Sequence, residues 1–193
     1  MTTERIPMAA VAAPDSSTVA SALRRLYFTR FAFAIVWALV MFTTAKHLGP
    51  LARTLLVVYP LFDVAAAVTD ARTSGGSGRP VLLYANIAVS SAAAIGLIFA
   101  GASGIPAVLR VWGAWAIVAG LIQLTVALRR RIMGGQWPMI ISGTISVLAG
   151  ILFIANASAR NPALTSAIGY AIPGAIFFLI SAIRLGRRSV KGN

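Results

Sequence analysis

Asp63 is the residue of this 193-residue chain best suited to do chemistry, because it is an acid inside an apolar stretch. A carboxylate near the middle of a membrane span costs roughly 2.5 to 3.5 kcal/mol, so its side chain must face protein or water. Arg30 lies about one helical turn inside the preceding apolar stretch and can reach Asp63 if the two stretches pair as antiparallel helices. The two residues predict an ion pair that fixes these helices. The alternatives are a titrating or ion-binding site and a water-exposed acid.

Three neutral polar residues lie at related depths in other apolar stretches: Gln123, Asn86 and Thr144. Gln123 aligns with Asp63 when the chain is compared with itself, and the other two align with each other and roughly with Arg30. Side chains of this kind form hydrogen bonds between membrane helices, worth about 0.6 kcal/mol each, which is the favoured interpretation. The same residues would form the polar interior of a small transporter or channel if Asp63 binds a proton or an ion.

The chain has too few reactive groups for most enzymatic mechanisms. It contains 4 acidic residues, 1 His and no Cys, so hydrolytic, metal-assisted and thiol mechanisms lack the side chains that they require. The sequence also has no glycine-rich phosphate loop. We therefore expect a protein that is not an enzyme and that has neither a metal site nor a cofactor.

The elements that must position these residues are membrane-spanning helices. Hydrophobic residues make up 59% of the chain and charged residues 11%, and no charged side chain occurs between Arg79 and Arg110. A span needs about 20 mostly apolar residues, and its backbone must be hydrogen-bonded internally, which predicts helices. The sequence predicts an all-α polytopic membrane protein with six spans: Leu26 to Thr44, Leu51 to Thr69, Val81 to Ala100, Ala107 to Leu128, Met139 to Ala157 and Leu164 to Ile183.

The basic residues indicate how the spans are oriented. Most of the 17 Lys and Arg residues fall at one set of alternate span ends, whereas the other set has only Lys46, Arg53, Arg110 and Arg160. The positive-inside rule then predicts that both termini lie in the cytoplasm. We expect the protein to lie in the inner membrane of the cell. We expect a mobile tail over residues 1–22, a membrane domain over 23–186 and a basic tail over 187–193. Trp112 is expected near the outer membrane interface.

The charge also bears on partners. The net charge of +13 comes from short clusters at the ends of apolar stretches, where Lys and Arg meet anionic headgroups on the cytoplasmic side. Because no basic stripe on a folded face is predicted, nucleic acid is not an expected partner. The lipid bilayer is the expected partner, and a homo-oligomer or a membrane-protein partner is left open.

Self-comparison of the chain suggests a helical hairpin used three times. The segment from Leu61 to Val68 aligns with the segment from Leu121 to Leu128, and Arg79-Pro80 then aligns with Trp137-Pro138. In this register each even-numbered span has a flexible or kinked point at a similar level, at Pro60, at Gly120 and at Pro173 with Gly174. The prediction is three helical-hairpin repeats.

Four glycines are predicted to pack helices against each other. Gly113 and Gly120 in the fourth span, like Gly143 and Gly150 in the fifth, are seven residues apart and so share a helix face. Small residues let membrane helices approach closely. We interpret the four as structural contacts rather than as substrate-binding backbone.

Part of the chain resembles a known family. The segment from Val111 to Arg130, VWGAWAIVAGLIQLTVALRR, is followed by Gly134-Gly-Gln-Trp-Pro138 and by the glycine-containing segment from Ser142 to Ile151. Together these resemble the HdeD-like family, small bacterial six-span proteins built from a short repeat. The resemblance implies an inner-membrane location and a non-enzymatic role in acid or envelope stress tolerance, and it supplies no catalytic residues. A small transporter or channel that uses Asp63 is the alternative.

Overall fold

Six α-helices account for almost all of the chain that the computed structural model describes, which is residues 16–44, 47–73, 80–129, 131 and 137–191. No strand occurs in these ranges. Each helix is long and apolar enough to cross a membrane, which is the architecture of a multi-pass membrane protein. The helices are α1 (Ser16–Thr44), α2 (Pro50–Thr73), α3 (Pro80–Ser103), α4 (Ile105–Arg129), α5 (Trp137–Asn156) and α6 (Thr165–Lys191).

Prolines and one glycine fix several helix ends. Pro50 and Pro80 occupy the first positions of α2 and α3, where the missing N–H would have no helical partner in any case. Gly104 separates α3 from α4 with φ of 106°, a left-handed conformation that a side chain disfavours. Its N–H donates to the carbonyl of Ala100 at 3.1 Å, which ends α3.

The helices form a closed ring in chain order, in which each helix packs against its two neighbours in sequence and α6 closes onto α1. The most extensive packing joins α2 to α3, α4 to α5, and α6 to α1, and the least extensive joins α1 to α2 and α5 to α6. The expected three helical-hairpin repeats are not shown, because the closest pairs lie between the expected hairpins rather than within them.

The four predicted glycines lie at the contact between α4 and α5. A methyl group on Gly113 would lie 2.6 Å from the carbonyl oxygen of Gly150, and one on Gly120 would lie 3.0 Å from that of Gly143. Real Cβ atoms do not approach backbone at the first of these distances, so the two helix backbones pack together only because side chains are absent there.

One end of the bundle is filled by a dense hydrophobic core. Its largest fully buried side chains are Trp37, Trp112, Met41, Leu56, Leu97, Leu109, Leu164 and Ile168. These residues come from the ends of α1 and α3 and the beginnings of α2, α4 and α6, so they share one end of the bundle. The other end carries Arg24, Arg25, Arg72, Arg129, Arg131 and Arg184 and is called the basic end below.

Several boundaries differ from the expectation. Helix α1 begins at Ser16, within the segment expected to be a tail, and α6 continues to Lys191, beyond the expected end of the membrane domain at residue 186. Residues 1–15 and 192–193 lie outside the described residues. Both α2 and α6 run through their internal prolines, Pro60 and Pro173, as continuous helices. Each proline still removes one backbone donor from its helix.

Candidate functional site: a central cavity with a buried ion pair

Asp63 lies at the centre of a hydrogen-bonded cluster from four helices. Its Oδ1 accepts from the guanidinium of Arg30 on α1, and its Oδ2 accepts from Asn86 Nδ2 and from Ser90 Oγ on α3, each at 2.8 Å. Ser90 Oγ in turn accepts from Trp115 Nε1 on α4 at 3.0 Å. The carboxylate is therefore held by a counter-charge on one oxygen and by neutral donors on the other.

Arg30 makes a second contact. Its Cζ lies 4.6 Å from the ring centroid of Phe178 on α6, a distance at which a cation is attracted to an aromatic face. The side chains of Arg30 and Asp63 are 20% and 11% exposed, so the pair is screened from solvent but is not sealed off. This single side chain links α1 to both α2 and α6.

A cavity of about 170 Å³ lies beside the pair, and all six helices contribute to its wall. Most of the lining residues lie in the half of their helix towards the basic end, whereas Tyr59, Trp115 and Tyr170 lie nearer the dense core, so the cavity extends from the basic end to that core. Its polar lining residues are Tyr27, Arg30, Tyr59, Asp63, Asp70, Asn86, Gln123, Ser142, Ser146 and Tyr170. Apolar side chains such as Leu26, Leu82, Ile122 and Val126 make up the remainder.

An aromatic cluster at the edge of the dense core faces the cavity. It consists of Trp37, Tyr59, Trp112 and Trp115, and we call it the aromatic plug. Trp37 and Trp112 stack with 5.5 Å between centroids, and Tyr59 lies edge-on to Trp37 at 4.7 Å. Tyr59 and Trp115 also line the cavity, so the plug closes the end of the cavity that lies away from the basic end.

Polar contacts bridge the two sparsest helix contacts of the ring. Arg30 and Asp63 join α1 to α2, where Trp37 Nε1 also donates to the carbonyl of Leu55 at 2.7 Å. The hydroxyl of Tyr170 on α6 donates to Ser146 Oγ on α5, across the other sparse contact. Polar contacts at the cavity thus join the two helix pairs whose packing is the least extensive in the ring.

The predicted polar residues have different surroundings. Asn86 binds Asp63 directly, and Gln123 lines the cavity while its Nε2 donates to the carbonyl of Met139 at 3.2 Å. The prediction for Thr144 is wrong, because its side chain is exposed and its hydroxyl donates to the carbonyl of Ile140 in its own helix. The expected interface position of Trp112 is also wrong, because its indole is 1% exposed and belongs to the plug.

Sequence reasoning missed several residues of the site: Tyr59, Ser90, Trp115, Ser146, Tyr170 and Phe178. A spacing of four residues offered one signal, since Tyr59 precedes Asp63 and Asn86 precedes Ser90 by one helical turn. The contacts of Trp115 and Phe178 depend on the order of helices around the ring, which the sequence does not reveal.

Both acids in the described part of the chain, Asp63 and Asp70, line this cavity. They lie seven residues apart on one face of α2, about 10 Å along its axis. Arg30 is the one Lys or Arg among the described lining residues. No group of three His, Cys, Asp or Glu side chains that could hold a metal ion occurs among the residues described.

A six-helix membrane protein with a charged pair beside a central cavity is the class that the fold and the site define. No family model, curated protein or solved structure matches the chain.

Proposed function

We propose that the protein is a small, non-enzymatic carrier of the bacterial inner membrane that binds a solute in its central cavity and uses Asp63 as the proton or ion site. The observation that carries this proposal is the cavity itself. It is enclosed by six helices, bordered by a charged pair and closed at one end by the aromatic plug. Membrane proteins with an ionisable pair beside a central cavity commonly use that pair to bind ions or substrates.

The distribution of basic residues supports an orientation for the carrier. By the positive-inside rule the basic end and both termini face the cytoplasm, so the cavity faces the cytoplasm as well. The lining includes charged and polar groups that can hydrogen-bond water, and a volume of about 170 Å³ exceeds that needed for a single water molecule. The proposed carrier is therefore closed towards the outside and accessible from the inside.

The sparse contacts between helices support a way for the carrier to move. Helices α1 and α6 pack closely together, whereas the packing of α1 on α2 and of α6 on α5 is the least extensive in the ring. Arg30–Asp63 and Tyr170–Ser146 connect these two groups of helices at the cavity. Protonation of Asp63 would remove the charge that holds Arg30, which would free α1 and α6 to shift against the remaining helices.

One observation favours a second candidate function. The carboxylate of Asp63 accepts bonds from Arg30, Asn86 and Ser90, a set that would also suit a purely structural ion pair. In that case the protein would be a non-transporting membrane protein of HdeD-like type, acting in acid or envelope stress tolerance through contacts with copies of itself or with partners. The HdeD-like segments between residues 106 and 156 support this candidate.

Proton and ion flux in proteoliposomes distinguishes the two candidates. An imposed pH gradient should dissipate faster with the wild-type protein than in empty liposomes, and Asp63→Asn should abolish the difference. Thr144→Val serves as the matched control, because Thr144 is exposed and outside the cavity. No flux above empty liposomes with the wild-type protein would contradict the carrier and leave the structural candidate.

A further inference from the structure

We propose that the ligand of the cavity is a small, flat organic cation with an apolar body, which binds Asp63 in the place that Arg30 occupies here. The inference rests on the proposed carrier and adds the chemical class of its solute. It follows from what surrounds the guanidinium of Arg30, from the side chains that hold Asp63 and from the size of the cavity.

Arg30 shows what the site recognises, because its guanidinium is a planar cation tethered in the site. One carboxylate oxygen of Asp63 and the ring face of Phe178 contact it from α2 and α6. A carboxylate and an aromatic face are together the usual partners of guanidinium and amidinium groups. A ligand with the same group can form both contacts once Arg30 moves aside.

The carboxylate is positioned to accept such a replacement. Asn86 and Ser90 hold Oδ2, and Trp115 holds Ser90, so three side chains orient Asp63 without the help of Arg30. Oδ1 is then the oxygen that exchanges one cation for another. A proton on Asp63 would compete with the same ligand, which would link the movement of the cation to the movement of protons in the opposite direction.

The contacts of the ion pair favour a cation over an anion. Asp63 is held by Asn86 and Ser90 as well as by Arg30, so a ligand can replace Arg30 more readily than it can replace Asp63. Both acids lie on α2, with Asp70 nearer the basic end, so a cation entering from that end meets Asp70 before Asp63.

The size of the cavity limits the body of the ligand. A cavity of about 150 Å³ is known to hold benzene, so the present volume of about 170 Å³ fits one aromatic ring with a small cationic group. The rings of Tyr59, Trp115 and Tyr170 and the apolar side chains of Leu82 and Ile122 line the space for that body. Benzamidinium, a phenyl ring with an amidinium group, matches both the charge and the size.

Three probes of nearly equal size test the ligand class on the purified full-length protein in nanodiscs: benzamidinium, neutral benzamide and anionic benzoate. Titration calorimetry should show benzamidinium binding at least about tenfold more tightly than benzamide, the gain expected for a hydrogen bond to a charged group. Benzoate should bind more weakly than either, because the carboxylate of Asp63 repels it.

Variants connect the binding to the proposed residues. Asp63→Asn should remove the preference for benzamidinium over benzamide, and Arg30→Ala should raise benzamidinium affinity because it removes the tethered competitor. Phe178→Leu, which leaves the ion pair in place, should weaken benzamidinium binding severalfold through loss of the aromatic face. Thr144→Val should bind all three probes as the wild type does.

The outcomes separate this inference from the carrier on which it rests. Equal or absent binding of the three probes, in a protein that still dissipates a pH gradient, would overturn the ligand class and leave the carrier. Tighter binding of benzoate would overturn it in favour of an anion held by Arg30. Benzamidinium binding that depends on Asp63, in a protein without flux, would support the site while the carrier fails.

Discussion

Arg30 on α1 lies over the ring of Phe178 on α6, with 4.6 Å between the guanidinium carbon and the ring centroid. The same guanidinium binds Asp63 on α2, so one side chain joins three helices at the edge of the cavity. The packing of α1 on α2 is among the least extensive in the ring, and this polar contact adds to the aromatic contacts of Phe33 and Trp37 with α2. Arg30 therefore contributes both to the stability of the bundle and to the proposed site.

The ion pair should make a strongly coupled contribution to stability. Removing one partner of a buried pair leaves an uncompensated charge, so Arg30→Ala and Asp63→Ala should each lower the free energy of unfolding by about 3 kcal/mol. The double variant leaves no orphaned charge and should lose less than the sum of the single losses, with a coupling of about 1 to 3 kcal/mol. Unfolding in mixed SDS micelles measures all four proteins.

Simple addition of the two single losses would contradict direct pairing of Arg30 with Asp63. Arg30→Lys is a useful companion variant, since it keeps the charge but lacks the planar group that stacks on Phe178. Its stability should fall between those of the wild type and Arg30→Ala.

The glycine contact between α4 and α5 predicts a sharp dependence on position. A methyl group on Gly150 would lie 2.5 Å from the carbonyl oxygen of Gly113, so Gly150→Ala must push two backbones apart and should cost about 1 to 3 kcal/mol. Gly169→Ala is the matched control, because no atom lies within 4 Å of its added methyl group. It should be neutral or stabilise α6 by up to about 1 kcal/mol. Equal stabilities of the two variants, measured by SDS unfolding, would refute the close contact.

Two tryptophans of the aromatic plug should respond differently to the same substitution. Trp112 Nε1 is buried and finds no hydrogen-bond partner in the described part of the chain, whereas Trp115 Nε1 donates to Ser90 at 3.0 Å. An unpaired buried donor costs about 1 to 3 kcal/mol. Trp112→Phe removes that cost and should be the milder change, while Trp115→Phe loses a hydrogen bond and loosens the support of Asp63. Thermal unfolding of the two variants compares them, and a larger loss in Trp112→Phe would contradict the assigned hydrogen bonds.

The number and type of elements were predictable from the sequence because membrane insertion depends mainly on length and apolarity. Each of the six predicted stretches overlaps one of the six helices over most of its length. Their ends were less predictable. Helix α1 begins at Ser16, before the first apolar stretch, and α6 ends at Lys191, after the last one, because a loss of hydrophobicity does not by itself end a helix.

The order of helices around the ring was not predictable in the same way. Hydrophobicity does not show which helices pack against each other, so the close pairing of α6 with α1 could not be inferred. The reach of Arg30 to Asp63 follows from two adjacent antiparallel helices. The positions of Phe178 and Trp115 around that pair require the whole ring.

Residue type alone also misled the interpretation of two positions. Thr144 shares a depth with Asn86 but satisfies its hydroxyl on its own helix, as threonines in helices often do. Trp112 lies near a helix end, where an interface tryptophan is usual, yet its neighbours Trp37 and Tyr59 enclose it. Whether such a residue contacts the interior of the bundle depends on the helix face that it occupies and not on its depth in the membrane alone.

Thiol accessibility tests most directly whether the cavity is a water-filled path from the basic end. The chain has no Cys, so Ala119→Cys on the cavity wall and Val118→Cys, at a side chain that is 41% exposed on the outer surface of the ring, each carry a single thiol. A charged, membrane-impermeant thiol reagent applied to vesicles of either orientation should label the Ala119→Cys variant from the cytoplasmic side and leave the Val118→Cys variant unlabelled. No labelling of Ala119→Cys from either side, or equal labelling of both variants, would contradict the account.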